Sequence, residues 1–187
     1  MAEVEHGMTL ATDITALELL APDGERVSVG ALVADSPTVF VFLRHFGCLA
    51  CQEHVALWKP RLAEFASAGA VVIFIGNGDT KQLREFVQKT GLVDQPAAAY
   101  TDPEKRFYDV LGMENSLASV LSPGAMFNAV RALGRGHLQT SVQGDPTQQG
   151  GVLIVDSAKR VQLLHREARL GDYLPVEQAL AKVKELG

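Results

Sequence analysis

The sequence predicts an α/β fold built on one sheet that contains parallel strand pairs. Three observations carry this. Two short, continuously apolar runs, Val39-Phe40-Val41-Phe42-Leu43 and Val71-Val72-Ile73-Phe74-Ile75, are rich in β-branched and aromatic residues and read as buried strands. Each is followed by a stretch with apolar residues three and four apart, the period of a helix packed on a sheet. The chain then closes on two more strand-like runs and a last helical stretch. Strands joined through helix-length crossovers pair in parallel.

Taken in order, residues 9–29 read as a β-hairpin, with Leu17, Leu19 and Leu20 before the turn Pro22-Asp23-Gly24 and Val27 and Val29 alternating after it. Residues 30–36 form a linker or a single helical turn. The strand at 39–43 follows Pro37. A helix from about Cys48 buries Val55, Trp58, Leu62 and Phe65, is kinked at Pro60, and ends at Ser67-Ala68-Gly69. After the 71–75 strand and Gly76-Asn77-Gly78, Asp79 and Gln82 have the spacing of a capping box. The helix they open buries Leu83, Phe86 and Val87 and stops at Gly91. A short strand at 97–100 leads to Asp102-Pro103, where proline at a first helical position starts another helix. Residues 112–150 interrupt the rhythm with an amphipathic helix (Met126, Phe127, Val130, Leu133) and the loop 143–149, and read as an insertion, too short for an independent core. The runs 151–155 and 161–166 form an antiparallel pair around Asp156-Ser157-Ala158-Lys159, and a helix from about Pro175 ends the chain. The order β-α-β-α-β-α-(insertion)-β-β-α after the hairpin is that of a thioredoxin-like fold, expected here as a single domain over 1–187.

Composition narrows the function. An apolar share of 47% and a charged share of 21% describe a folded chain. A net charge of −5 argues against non-specific nucleic-acid binding, which needs clustered cations. No apolar run approaches the roughly 20 residues of a membrane span, and residues 1–7 lack the pattern of a secretory signal. A cytoplasmic location is expected.

Both cysteines of the chain lie in Arg44-His45-Phe46-Gly47-Cys48-Leu49-Ala50-Cys51-Gln52-Glu53-His54. A disulfide across so short a loop would constrain the unfolded chain by only about 2 kcal/mol, so its value is chemical rather than structural. A strand ending near His45 and a helix starting near Cys48 put Cys48 where unpaired backbone N–H groups and the helix dipole favour an anion. That enriches the thiolate, the reactive form. Cys51, one turn on, can attack an oxidised Cys48. Arg44 and His45 are expected to support the thiolate, and Arg166, with His165, sits at a strand end that could approach it. The blander reading is two inert buried thiols. His45, Cys48, Cys51 and His54 also carry zinc-compatible chemistry, but three helical steps of about 300° set the two histidines on opposite sides, so no metal is expected. Trp58 reads as core, and Gly76-Asn77-Gly78 lacks the Lys-Ser/Thr of a nucleotide loop.

Leu43-Arg44-His45-Phe46-Gly47-Cys48-Leu49-Ala50-Cys51-Gln52-Glu53 resembles the active-site stretch of peroxiredoxin-like proteins of the alkyl hydroperoxide reductase/thiol-specific antioxidant (AhpC/TSA) group. Thr101-Asp102-Pro103-Glu104, Gln143-Gly144-Asp145-Pro146 up to Gly150-Gly151, and Leu164-His165-Arg166-Glu167 with Gly171-Asp172 agree. The resemblance implies a thioredoxin-like fold and thiol-dependent redox activity on a peroxide or disulfide, including peroxide reduction or disulfide reduction, with a redox switch as the non-catalytic alternative. It implies no bound cofactor, an external thioredoxin- or glutathione-type thiol reductant, and room for a homodimer. Two positions depart from the usual peroxiredoxin pattern: Val41 and His45 stand where a Pro and a Thr or Ser precede the attacking cysteine. Two more depart from thioredoxins: Gly47 replaces the Trp before the first cysteine, and Gly151 stands where a cis-Pro would face the pair.

Overall fold

A computed structural model describes residues 4–33, 35–113, 148–169 and 171–187. The elements are α1 (Thr12–Thr15), β1 (Glu18–Leu20), β2 (Arg26–Ser28), α2 (Val29–Leu32), β3 (Thr38–Phe42), α3 (Leu49–Trp58), a 3-10 turn (Lys59–Arg61), α4 (Leu62–Ser67), β4 (Val71–Gly76), α5 (Thr80–Thr90), β5 (Ala97–Thr101), α6 (Arg106–Val110), β6 (Gly151–Val155), β7 (Val161–Arg166) and α7 (Val176–Lys184). Seven strands form one sheet in the order β2-β1-β5-β4-β3-β6-β7. β3 pairs parallel with β4, β4 parallel with β5, and β3 antiparallel with β6. This is the α/β, thioredoxin-like arrangement expected.

The unbroken apolar runs follow from the layering. β3 is buried at all five positions because both faces of the sheet are covered. Val39, Val41, Val72, Phe74, Val152 and Ile154 face α3, α4, α5 and α7, while Phe40, Phe42, Ile73, Ile75, Leu153 and Val155 face α1, α2 and α6. On the first face Trp58 is fully buried and stacks on Phe65 at 5.3 Å, as a core residue. Pro60 sits in the 3-10 turn that divides α3 from α4. The Asp79–Gln82 capping box is formed in both directions, and Gly91 closes α5.

Two boundaries differ from expectation. The N-terminal hairpin spans only Glu18–Leu20 and Arg26–Ser28, because residues 12–15 make a helical turn that buries Ile14. The helix expected at Asp102-Pro103 begins at Arg106. Asp102 still caps it, its carboxylate accepting the N–H of Phe107 at 2.8 Å and of Arg106 at 3.3 Å, with Lys105 held at φ 58° between them. The insertion helix and most of the 143–149 loop lie outside the described residues. Gln148, at the loop's end, is buried and donates to the Met113 carbonyl at 2.8 Å.

Candidate active site

The cysteine pair sits at the C-terminal end of β3, on the face covered by α3. The chain leaves β3 through Leu43, whose N–H donates to the Ile75 carbonyl at 2.7 Å. Leu43 and Ile75 carbonyls both accept the buried Tyr108 hydroxyl, at 2.7 and 2.9 Å. The side-chain amide of Asn77 donates to the Arg44 carbonyl. The Phe46 ring lies across Gly76 and Gly78 and packs on Phe86 at 5.3 Å. Gly76-Asn77-Gly78 is therefore the seat of the reactive turn: a Cβ on Gly76 would collide with the Phe46 ring, standing 2.6 Å from its Cζ.

Held this way, the turn delivers Cys48 as the N-cap of α3. The N–H groups of Cys51 and Gln52 bond the Cys48 carbonyl at 3.1 and 3.2 Å. Cys48 is partly exposed and Cys51 is buried; both are free thiols. The Cys51 sulfur accepts the Arg44 N–H at 3.2 Å and lies beside Cys48. Hydrogen bonding to Cys51, then to His45, and the His45 charge hold the Cys48 thiol well below its ordinary value against the opposing effect of burial. Burial, reinforced by the Cys48 charge, pushes the Cys51 thiol well above it. The partly exposed sulfur of Cys48 is thus favoured as the thiolate, and the buried sulfur of Cys51 as the thiol.

Beneath the pair lies a second polar group that local sequence does not announce. Glu167, just past β7, is 2% exposed, and its Oε1 is 3.7 Å from Nδ1 of the equally buried His54. The His54 ring stacks on Tyr173 at 4.1 Å, and the Tyr173 hydroxyl donates to the Ala50 carbonyl at 2.7 Å. Burial pushes the Glu167 carboxyl well above the usual carboxylate range and holds His54 down at about 3. Gly150 makes room for the carboxyl, since a Cβ there would stand 2.8 Å from Oε1 and 2.7 Å from the Phe42 carbonyl.

Residues 56–169 match the family described as AhpC/TSA antioxidant enzyme. Mouse (Mus musculus) peroxiredoxin-like 2C is 32% identical over 96% of this chain and 82% of its own length. The chain belongs to the AhpC/TSA antioxidant enzyme family. Within that family it is a peroxiredoxin-like thiol oxidoreductase. Prostamide/prostaglandin F synthase of Salmo salar is 32% identical over 85% of this chain and 80% of its own length. A crystal structure of a Xylella fastidiosa PrxQ mutant shares the fold at a TM-score of 0.72, with 13% identity over 99% of this chain and 98% of that one. The matched family span opens beyond Cys51, so in this AhpC/TSA member the assignment of the two thiols rests on their own geometry.

Of the residues flagged from sequence, the structure brings Cys48, Cys51 and His45 together. Arg44 is buried beside them, and its charge acts on Glu167. Arg166 is not part of the group. Strand alternation turns it to the opposite face, where its guanidinium donates to the carbonyls of Leu111 at 2.5 Å and Val4 at 3.0 Å. Its neighbour His165 faces the thiol side, with Nε2 2.7 Å from the Asp172 carbonyl. His54, considered above as a zinc ligand, is turned to Glu167 and Tyr173. No helix among the described residues is long and apolar enough to cross a membrane.

Proposed function

We propose that this protein reduces peroxides through the Cys48–Cys51 dithiol. The observation that carries the reading is the placement of Cys48 as the N-cap residue of α3 with the Cys51 thiol beside it. The Cys48 thiolate attacks the terminal peroxide oxygen, the O–O bond breaks, and Cys48 becomes a sulfenic acid. Cys51, one helical turn on, attacks that sulfur, forming the disulfide and expelling water. An external thioredoxin- or glutathione-type thiol returns the pair to the reduced state, and no bound cofactor takes part. A reducing, cytoplasmic setting suits two free thiols that must be regenerated between turnovers.

His45 takes the place of the hydroxyl that orients peroxide in the usual peroxiredoxin pattern, so the sulfur is activated here by charge and hydrogen bonding rather than by a paired hydroxyl. Relatives named prostamide/prostaglandin F synthase add a cyclic endoperoxide as a second substrate to assay, since the bond cleaved is again O–O.

The test follows peroxide consumption and trapping of sulfenic acid by dimedone. Wild type should form an intramolecular disulfide, Cys51→Ser should stop at a dimedone-reactive Cys48, and Cys48→Ser should do neither. Equal behaviour of the two variants, or a wild type inert to hydrogen peroxide, tert-butyl hydroperoxide and a cyclic endoperoxide alike, overturns the reading.

A further inference from the structure

The buried carboxyl under the thiols has no task in the steps above, yet its placement is costly. Glu167 Oε2 and His54 Nε2 are both buried without a hydrogen-bond partner among the described residues. A solvated ion or a fully bonded pair would be the cheap arrangement; an unsatisfied buried carboxyl costs stability and calls for a use. The group joins the dithiol through continuous packing: Cys48 and Tyr173 both pack on Ala50, Tyr173 stacks on His54, and His54 meets Glu167. The ionisable groups acting on the carboxyl come from every element around it. They are Arg44 from the turn after β3, Cys48 and His54 from α3, and Asp172 from the segment after β7, with Tyr108 of α6 and Tyr173 feeling its charge in return. Arg44 favours its ionisation, while Cys48 and Asp172 oppose it. Two anions in so dry a region repel strongly, so the low-charge arrangement is one anion for the two groups.

We propose that Cys48 and Glu167 share a single negative charge, carried by the Cys48 sulfur in the reduced protein and by the Glu167 carboxylate once the Cys48–Cys51 disulfide has formed. This rests on the dithiol reading above, and the protons balance through it. In the first step the thiolate takes the terminal oxygen of ROOH and the Glu167 proton goes to the leaving alkoxide, giving ROH, a Cys48 sulfenic acid and a Glu167 carboxylate. In the second the carboxylate takes the Cys51 proton, the Cys51 sulfur attacks the sulfenic sulfur, the S–O bond breaks, and the departing hydroxide leaves as water with that same proton. Two electrons pass from the sulfur pair to the peroxide, and Glu167 ends ionised beside a neutral disulfide. Oxidation then draws no proton from solvent into a buried site.

The experiment counts protons. Wild type, Glu167→Gln and Glu167→Asp are equilibrated with reduced and oxidised dithiothreitol at a series of pH values, and the disulfide fraction is read by alkylation and mass. The series starts above the Cys48 titration, located beforehand by thiolate absorbance, and stops below that of dithiothreitol. Wild type and Glu167→Asp should take up two protons per two electrons on reduction, because Cys51 and the carboxyl are both reprotonated. Glu167→Gln should take up one. A purely structural role for Glu167 would move the midpoint equally at every pH and leave the count unchanged. A count of one in wild type, or the same count in wild type and Glu167→Gln, overturns the proposal; if Glu167→Gln does not fold, the wild-type count decides alone. Absence of any Cys48–Cys51 disulfide would instead overturn the dithiol reading.

Discussion

His45 and Cys51 both act on the Cys48 sulfur, one through a hydrogen bond and positive charge, the other through hydrogen bonding. Burial works against both. The thiolate therefore depends on neighbours more than on the first turn of α3 alone, whose dipole is worth at most about 1 kcal/mol at a partly exposed end. Replacing His45 by Ala should move the Cys48 titration upward and slow its alkylation by iodoacetamide at pH 6 by about tenfold, in step with the lost thiolate fraction. Thiolate absorbance and alkylation rates across pH check this. An unchanged titration would mean that the Cys51 hydrogen bond suffices.

At the scale of elements, the reactive turn is shaped from outside itself. Leu43 is tied to β4, Arg44 to the turn after β4, and Phe46 to α5. The strongest single dependence is the fit of the Phe46 ring against Gly76. Gly76→Ala should cost about 1–3 kcal/mol by overpacking, read as a lower urea midpoint with unchanged slope, and should slow disulfide formation by displacing the turn. Phe46→Ala in the same chain should remove most of the Gly76→Ala penalty, a coupling that a double-mutant cycle measures. Additive costs would show that Phe46 does not anchor the turn. Much of this scale is legible in the sequence. Asp79, Gln82, Pro60 and Gly91 announce their roles through local chemistry, and each acts where its spacing predicts. Asp102-Pro103 misleads because the aspartate caps the helix from a full turn upstream, through a left-handed Lys105 that no local pattern reveals.

For the whole molecule, the buried pair sets an unusual response to acid. His54, held at about 3 in the folded chain against 6.5 when unfolded, contributes stability that is fully present above about pH 6.5 and is lost as pH falls through that window. Glu167 has the opposite sign: its folded carboxyl titrates well above the ordinary 4.5, so stability is lost as pH rises from there toward the folded value. Where the two windows overlap above pH 4.5, their slopes oppose each other in wild type. Glu167→Gln should show stability rising with pH across that window, by about 1.4 kcal/mol per pH unit at most, and His54→Gln should show it falling. Urea unfolding at four pH values tests both slopes. Parallel profiles for the two variants would mean that the pair titrates as one ion pair.

By itself the sequence determined the strand and helix order, the thioredoxin-like layering, and the position of Cys48 at a strand-to-helix turn with Cys51 one turn on. These follow from residue periodicity and backbone geometry, which act over a few residues. Only the tertiary structure decided which side chains meet there. Strand alternation sends Arg166 away and His165 inward, and the return of the chain after β7 buries Glu167 against His54. Burial, which governs the charge of both sulfurs and of the carboxyl, is set by contacts far apart in sequence, and no local pattern encodes it.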